Sequence, residues 1–183
     1  MELAGVAALI AAVILLMVWR NRSSSGGGNG GDILLTLYFD RSSVPDYTVE
    51  CIRRIREVVY PEYLGNLFEK GYDRRAIASI IIWETGWLSS KNAENRITHK
   101  HNILGIDLPD SPGVGRTFAS YKDCVSYFEA LMHNTRYGNT AYPVRGLGSE
   151  FLDALHTSGY NGNESWISGV KSIYFGAAST LPA

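Results

Sequence analysis

Ala76-Ile77-Ala78-Ser79-Ile80-Ile81-Ile82-Trp83-Glu84-Thr85-Gly86-Trp87 sets one carboxylate at the end of an otherwise apolar segment. Asp73 is a good N-cap, Arg74 to Trp83 contains no helix breaker, and Gly86 supplies the left-handed residue that commonly ends a helix. At about 100° per residue, Glu84 falls within roughly 20° of Ile77 and beside Ile80 and Ile81, so the carboxylate shares the buried face. Desolvation and the negative end of the helix dipole both favour the neutral acid, which suits Glu84 to donating a proton near neutral pH. The competing reading is a structural ion pair, with Arg96 or Arg116 as the partner and Arg74 and Arg75 too far back along the helix.

The residues around this helix add a pattern. His101-Asn102-Ile103-Leu104-Gly105-Ile106-Asp107 follows a polar loop, Arg116-Thr117-Phe118-Ala119-Ser120-Tyr121 opens another helix, and Ser158-Gly159-Tyr160-Asn161-Gly162-Asn163-Glu164-Ser165-Trp166 precedes a last one. In that order they resemble the glucosaminidase domain of the lysozyme superfamily, glycoside hydrolase family seventy-three. The resemblance covers about residues 73 to 175, with weaker support from Tyr47 onward, and it departs from the family pattern twice. Asp107 stands where the family has Lys, and the connection from Asp107 to Phe118 lacks the Glu-bearing hairpin of many members.

The resemblance implies a mainly α (α+β), lysozyme-like fold with a small β-hairpin, and an enzyme that hydrolyses a glycosidic bond of peptidoglycan, endo-N-acetylglucosaminidase in type. Glu84 would be the general acid. Asp107 is the candidate second carboxylate, Asp110 its rival, and substrate assistance by the N-acetyl group the alternative to both. Asn102 would orient the acid or a sugar amide, or else cap a turn, and Tyr160 would meet an acetamido group or the attacking water, or else pack as a core ring with its hydroxyl at the surface. Trp87 and Trp166 would frame the cleft or else fill the domain, whereas Trp83, one position before Glu84, is better placed for packing. A lytic transglycosylase and a catalytically silent wall-binding or structural membrane protein are the alternatives.

The remaining sequence bounds the rest. The 183 residues carry a formal net charge of −1 with dispersed basic residues, so nothing recommends nucleic acid as a partner. Eleven Tyr and four Trp suit stacking on sugar rings. His99 and His101 lack a third ligand at defined spacing, so neither a metal nor any other cofactor is expected. Cys51 and Cys124 fall within helical patterns and read as reduced core residues.

Leu3 to Trp19 is an uncharged apolar run, about 25 Å long as a helix, and residues 1–22 read as one N-terminal transmembrane anchor in contact with the lipid bilayer. Residues 23–31, SSSGGGNGG from Ser23, read as a flexible linker spanning about 15 to 18 Å, leaving 32–183 as the enzyme domain. Arg20 and Arg22 follow the run while Glu2 precedes it, which favours a single-pass protein with its domain on the cytoplasmic side. Peptidoglycan lies on the other side. The charges therefore suit a virion-borne enzyme in an internal viral membrane, with capsid proteins as neighbours and peptidoglycan glycan strands as substrate; a signal-anchored host inner-membrane enzyme with a periplasmic domain is the alternative.

Within 32–183, Asp32 to Asp40 reads as a strand or extended arm, Pro45 to Tyr60 as a helix, and Pro61 to Gly71 as a second one. Helices are also expected from Ser120, from Ser149 to His156 and from Ser165 to Phe175. The hairpin falls between Ile103 and Phe118, with its turn carried by Pro109, Pro112, Gly113 and Gly115.

Overall fold

The computed structural model describes residues 37–182, which form a mainly helical unit with one small antiparallel hairpin. The proposed anchor, the linker and residues 32–36 of the expected arm lie outside the described residues. Among the described residues no helix is long and apolar enough to cross a membrane.

The chain enters through Leu37 and Phe39, both buried, with the Phe39 amide bonded to the Leu88 carbonyl at 3.1 Å. This stretch is the extended arm and not a strand, because that single bond does not continue as a ladder. Asp46 then caps α1 (Tyr47–Arg54) by accepting from the Thr48 and Val49 amides. The helix continues as a wider-wound π segment over Ile55–Leu64 and leads directly into α2 (Gly65–Glu69). Pro61 therefore sits inside one continuous helical path and does not open a second helix. A widened turn relieves the clash a proline ring makes with the carbonyl four residues back. Gly71 closes the path with φ +83°.

The centre of the fold is α3 (Arg74–Glu84), started by the Asp73 carboxylate accepting from the Ala76 amide at 2.7 Å. Ala76 to Ile82 are all fully buried, so this helix is wrapped on every side and not merely amphipathic. Its main neighbour is α8 (Glu164–Phe175), which Asn163 caps through the Ser165 amide. Gly169 makes the close crossing possible, because a Cβ there would run into the Trp83 ring. Trp83 packs as expected but keeps 38% of its surface exposed.

Lys91–Thr98 forms helix α4, where a polar loop was expected. Its signal is short: Ser90 stands at the N-cap position, and Ala93 and Ile97, four residues apart, are the buried side chains. The hairpin pairs β1 (Asp107–Leu108) with β2 (Ser111–Gly115), so Pro109 and Asp110 make the turn. Pro112, Gly113 and Gly115, expected in the turn, belong to β2. Proline is tolerated on this two-stranded edge because it owes no ladder bond there.

Ser120 caps α5 (Tyr121–Met132) through the Asp123 amide, and its hydroxyl donates to the Asp123 carboxylate at 2.8 Å. A short turn, α6 (Thr135–Gly138), leads on to α7 (Ser149–Thr157). Gly148 precedes α7 at φ +57°, where any Cβ would meet the Tyr174 hydroxyl. Cys51 and Cys124 are buried and unpaired; burial pushes the Cys124 thiol up to about 11 and Cys51 further, so both stay neutral.

Candidate active site

Glu84 is the last residue of α3, and the chain leaves it in an unusual way. Gly86, Trp87 and Leu88 all adopt left-handed backbone, with φ of +52°, +66° and +57°. One such residue, at Gly86, was legible in the sequence. The two that follow cost about 1 to 2 kcal/mol each for residues bearing a Cβ. Several bonds hold them: the Thr85 hydroxyl donates to the Ile81 carbonyl at 2.5 Å and accepts from the Leu88 amide at 3.2 Å, and the Trp87 amide donates to the Ile82 carbonyl at 2.8 Å. Arg41 ties down the outside, donating to the Gly86 carbonyl at 2.9 Å and to the Ser89 hydroxyl at 2.8 Å. Strain held in this way fixes where the helix end, and Glu84 with it, can sit.

The carboxylate itself accepts two hydrogen bonds. Trp166 Nε1 donates to Oε1 at 2.8 Å, and Arg96 Nη1 donates to Oε2 at 2.7 Å. Gly105, with φ +70°, lies so close that a Cβ on it would collide with the Glu84 carboxyl group. Only 10% of the Glu84 side chain is exposed. Burial raises its pKa above the usual 4.5; the Trp166 and Arg96 contacts pull the other way, and the Asp107 charge adds a smaller push upward. The net shift is upward because removal from water outweighs the two donors. Each carboxyl oxygen has two lone pairs, so one donor on each leaves room for a proton.

Glu84 opens onto a cleft of ≈ 620 Å³. Gly105, Ile106 and Tyr160 line it beside the acid, Asp107, Leu108, Pro109 and Pro112 contribute from the hairpin, and Tyr127, Leu131, Asn134 and Tyr137 come from α5 and α6. Its size is that of a small-ligand site. Asp107 is exposed in this wall, and its Oδ2 accepts from the Gly113 amide at 2.8 Å. Asp110, in the turn, does not line the cleft.

The other expected site residues separate. Tyr160 lines the cleft, but its hydroxyl donates to the Leu104 carbonyl at 2.6 Å, and burial holds its pKa well above 10. It fixes the loop that carries Gly105, and its ring, not its proton, faces the space. Trp166 is 1% exposed, so it frames nothing for a sugar; it is the donor that orients Glu84. Asn102 is fully buried, with Nδ2 donating to the carbonyls of Ile106 and Arg116 at 2.7 and 3.0 Å and Oδ1 accepting from the Ile106 amide at 2.9 Å. It clamps the Ile103–Ile106 turn to the strand exit. Trp87 lies outside the cleft, edge-on to Tyr47 at 5.9 Å. Its ring packs instead against the start of α1.

Arg96 is the site residue that sequence reading named only as a structural partner. Helix α4 delivers it, and of the two partners expected for Glu84 the pairing falls to Arg96. His101 packs edge-on to Tyr121 at 5.1 Å and its Nδ1 lies 3.0 Å from the Phe118 carbonyl. The described residues contain no group of three or more side chains suited to a metal ion.

Comparison with known proteins adds no identification. No family model matches the chain, and no curated protein matches it at a significant level.

Proposed function

We propose that this chain is a glycoside hydrolase of lysozyme-like architecture that cuts a glycosidic bond of peptidoglycan glycan strands, with Glu84 as general acid. The observation that carries the reading is Glu84 itself: a carboxyl group at the end of a buried helix, bordering a sugar-sized cleft, with its pKa raised by burial despite two hydrogen-bond donors. The four sequence landmarks shared in order with the glucosaminidase family support it.

In this mechanism a protonated Glu84 gives its proton to the leaving glycosidic oxygen as the bond from that oxygen to the anomeric carbon breaks. Positive charge develops on the anomeric carbon, and water supplies the new hydroxyl there while its proton returns to Glu84. Asp107 supplies negative charge from the hairpin wall. Trp166 and Arg96 orient the carboxyl group and stabilise the anion that remains after transfer. Tyr127, Tyr137 and Tyr160 give aromatic surface for sugar rings. Anchoring through residues 3–19, and the virion setting with its capsid neighbours, belong to the same proposal and rest on sequence alone.

One observation favours a second reading, a silent wall-binding protein with the same fold. The Arg96–Glu84 contact at 2.7 Å is also what a structural ion pair looks like. The full-length chain in detergent, incubated with purified sacculi, distinguishes the readings through mass spectrometry of the released material. Hydrolysis yields reducing ends that have gained one water, transglycosylation yields anhydro ends, and a silent binder releases nothing. Reducing N-acetylglucosamine ends are expected; bound protein without any released product contradicts the enzyme assignment.

A further inference from the structure

A second hollow of ≈ 590 Å³ lies beside the cleft and shares Leu108 and Tyr127 with it. Its character differs. Lys100, Arg116, Phe118 and Asp123 line it, so two cations face a space holding one acid. The Arg116 guanidinium lies 4.2 Å from the centre of the Tyr127 ring, and its Nε is buried without a hydrogen-bond partner. Among the described residues no carboxylate or carbonyl takes a hydrogen bond from the Arg116 side chain. Among the described residues the Lys100 ammonium donates to the Gly115 carbonyl alone, at 3.0 Å. Asp123 is engaged by the Ser120 hydroxyl and ion-pairs with neither cation.

The backbone around Arg116 is held firmly. Its amide donates to the Ile106 carbonyl at 2.8 Å, and its carbonyl accepts from Asn102. An arginine stacked on an aromatic ring, fixed at its backbone and lacking any anion, is preorganised for a planar carboxylate, which it can meet with two parallel N–H bonds. A buried donor left without a partner is costly, so its retention calls for an explanation.

Resting on the proposed function, we propose that the Arg116–Lys100 hollow is a subsite for a carboxylate of the peptide stem borne by the glycan strand whose sugars occupy the Glu84 cleft. Leu108 and Tyr127 form the saddle between the two spaces, and the stem leaves the sugar across it. The hollow thereby selects peptide-substituted wall polymer over neutral N-acetylated glycan.

The test uses the full-length chain in detergent on two preparations of purified sacculi, one native and one with its stem carboxylates converted to amides by carbodiimide and ammonia. Wild type is expected to lose about tenfold or more in kcat/KM on the amidated wall, the size of a charge-assisted hydrogen bond. Arg116→Gln should show that same loss on native wall and no further loss on amidated wall, while Arg116→Lys retains part of the preference. Equal wild-type rates on the two walls overturn the subsite and leave the hydrolase assignment standing. An Arg116→Gln variant that loses activity equally on both walls also overturns it, because the residue is then structural. Absence of both binding and product release with wild type on either wall overturns the subsite together with the functional reading beneath it.

Discussion

The two walls that meet at Glu84 are built on opposite terms. On one side the carboxyl group, Trp166, Arg96, Asn102 and the Tyr160 hydroxyl form a nearly closed polar set inside an apolar shell, each with a named partner between 2.6 and 3.0 Å. On the other side the hairpin presents Asp107, Leu108, Pro109 and Asp110 to solvent, and Val114 is 47% exposed. The first wall holds the Glu84 carboxyl group by hydrogen bonds on both its oxygens; the second offers charge and surface with little packing behind it. Chemistry that depends on position should therefore be sensitive to the buried wall, and the hairpin should tune it.

The largest effect should come from Glu84→Gln. The amide has the same shape but no proton to give, and loss of a general acid typically lowers the rate about 10²- to 10⁴-fold. Product release from sacculi, with circular dichroism to confirm the fold, measures it. Activity within a few-fold of wild type would remove Glu84 from the mechanism and leave the buried wall as scaffolding.

Gly105→Ala comes next. The new Cβ would meet the Glu84 carboxyl group at a backbone position, φ +70°, that disfavours alanine. Strain of about 1 to 3 kcal/mol in thermal or chemical unfolding is expected. The displaced carboxyl should cost about 100-fold in kcat, as misplacement by an ångström does. A variant as active as wild type would show that the exact position of the acid is unimportant.

Two smaller changes sharpen the contrast because they carry opposite signs. Trp166→Phe removes a donor that favours the Glu84 anion, so the carboxyl pKa rises and the fall in rate on the alkaline side of the pH profile moves to higher pH. Asp107→Asn removes a like charge, so the same limb moves to lower pH, by less, since Asp107 is the smallest of the named influences. Its rate should drop about five- to tenfold, the scale of a unit charge acting near water. Asp110→Asn, outside the cleft, should leave both rate and profile unchanged. Limbs that move in the same direction for Trp166→Phe and Asp107→Asn would contradict the electrostatic account.

The same contrast governs what could be read from the sequence. The central helix was legible end to end, from the Asp73 cap to the Gly86 turn, because a long apolar run with both stop signals leaves few alternatives. Glu84 was legible with it. Helix α4 was not, since Lys91–Thr98 is almost wholly polar and its buried face amounts to Ala93 and Ile97. Without that helix Arg96 stood only as one of two candidate partners for Glu84, and the structure pairs it there. The hairpin turn was only partly placed because four turn-forming residues crowd into seven positions, and only pairing decides which residues make the bend. Asn102, Tyr160 and Trp166 were each read two ways, as contacts to substrate or acid and as turn cap or core. Sequence distance does not reveal that their polar atoms close onto Leu104, Ile106 and Glu84, which is a property of tertiary packing.

The central claim is that burial outweighs the two donors and leaves Glu84 an acid with a proton to give. Infrared difference spectroscopy on the full-length chain, wild type minus Glu84→Gln, isolates the stretch of this one protonated carboxyl group as pH is varied. The account predicts a titration midpoint above 4.5, with the protonated band persisting where ordinary glutamates are already ionised. A midpoint at or below 4.5 would contradict it, making Glu84 the permanently charged partner of Arg96.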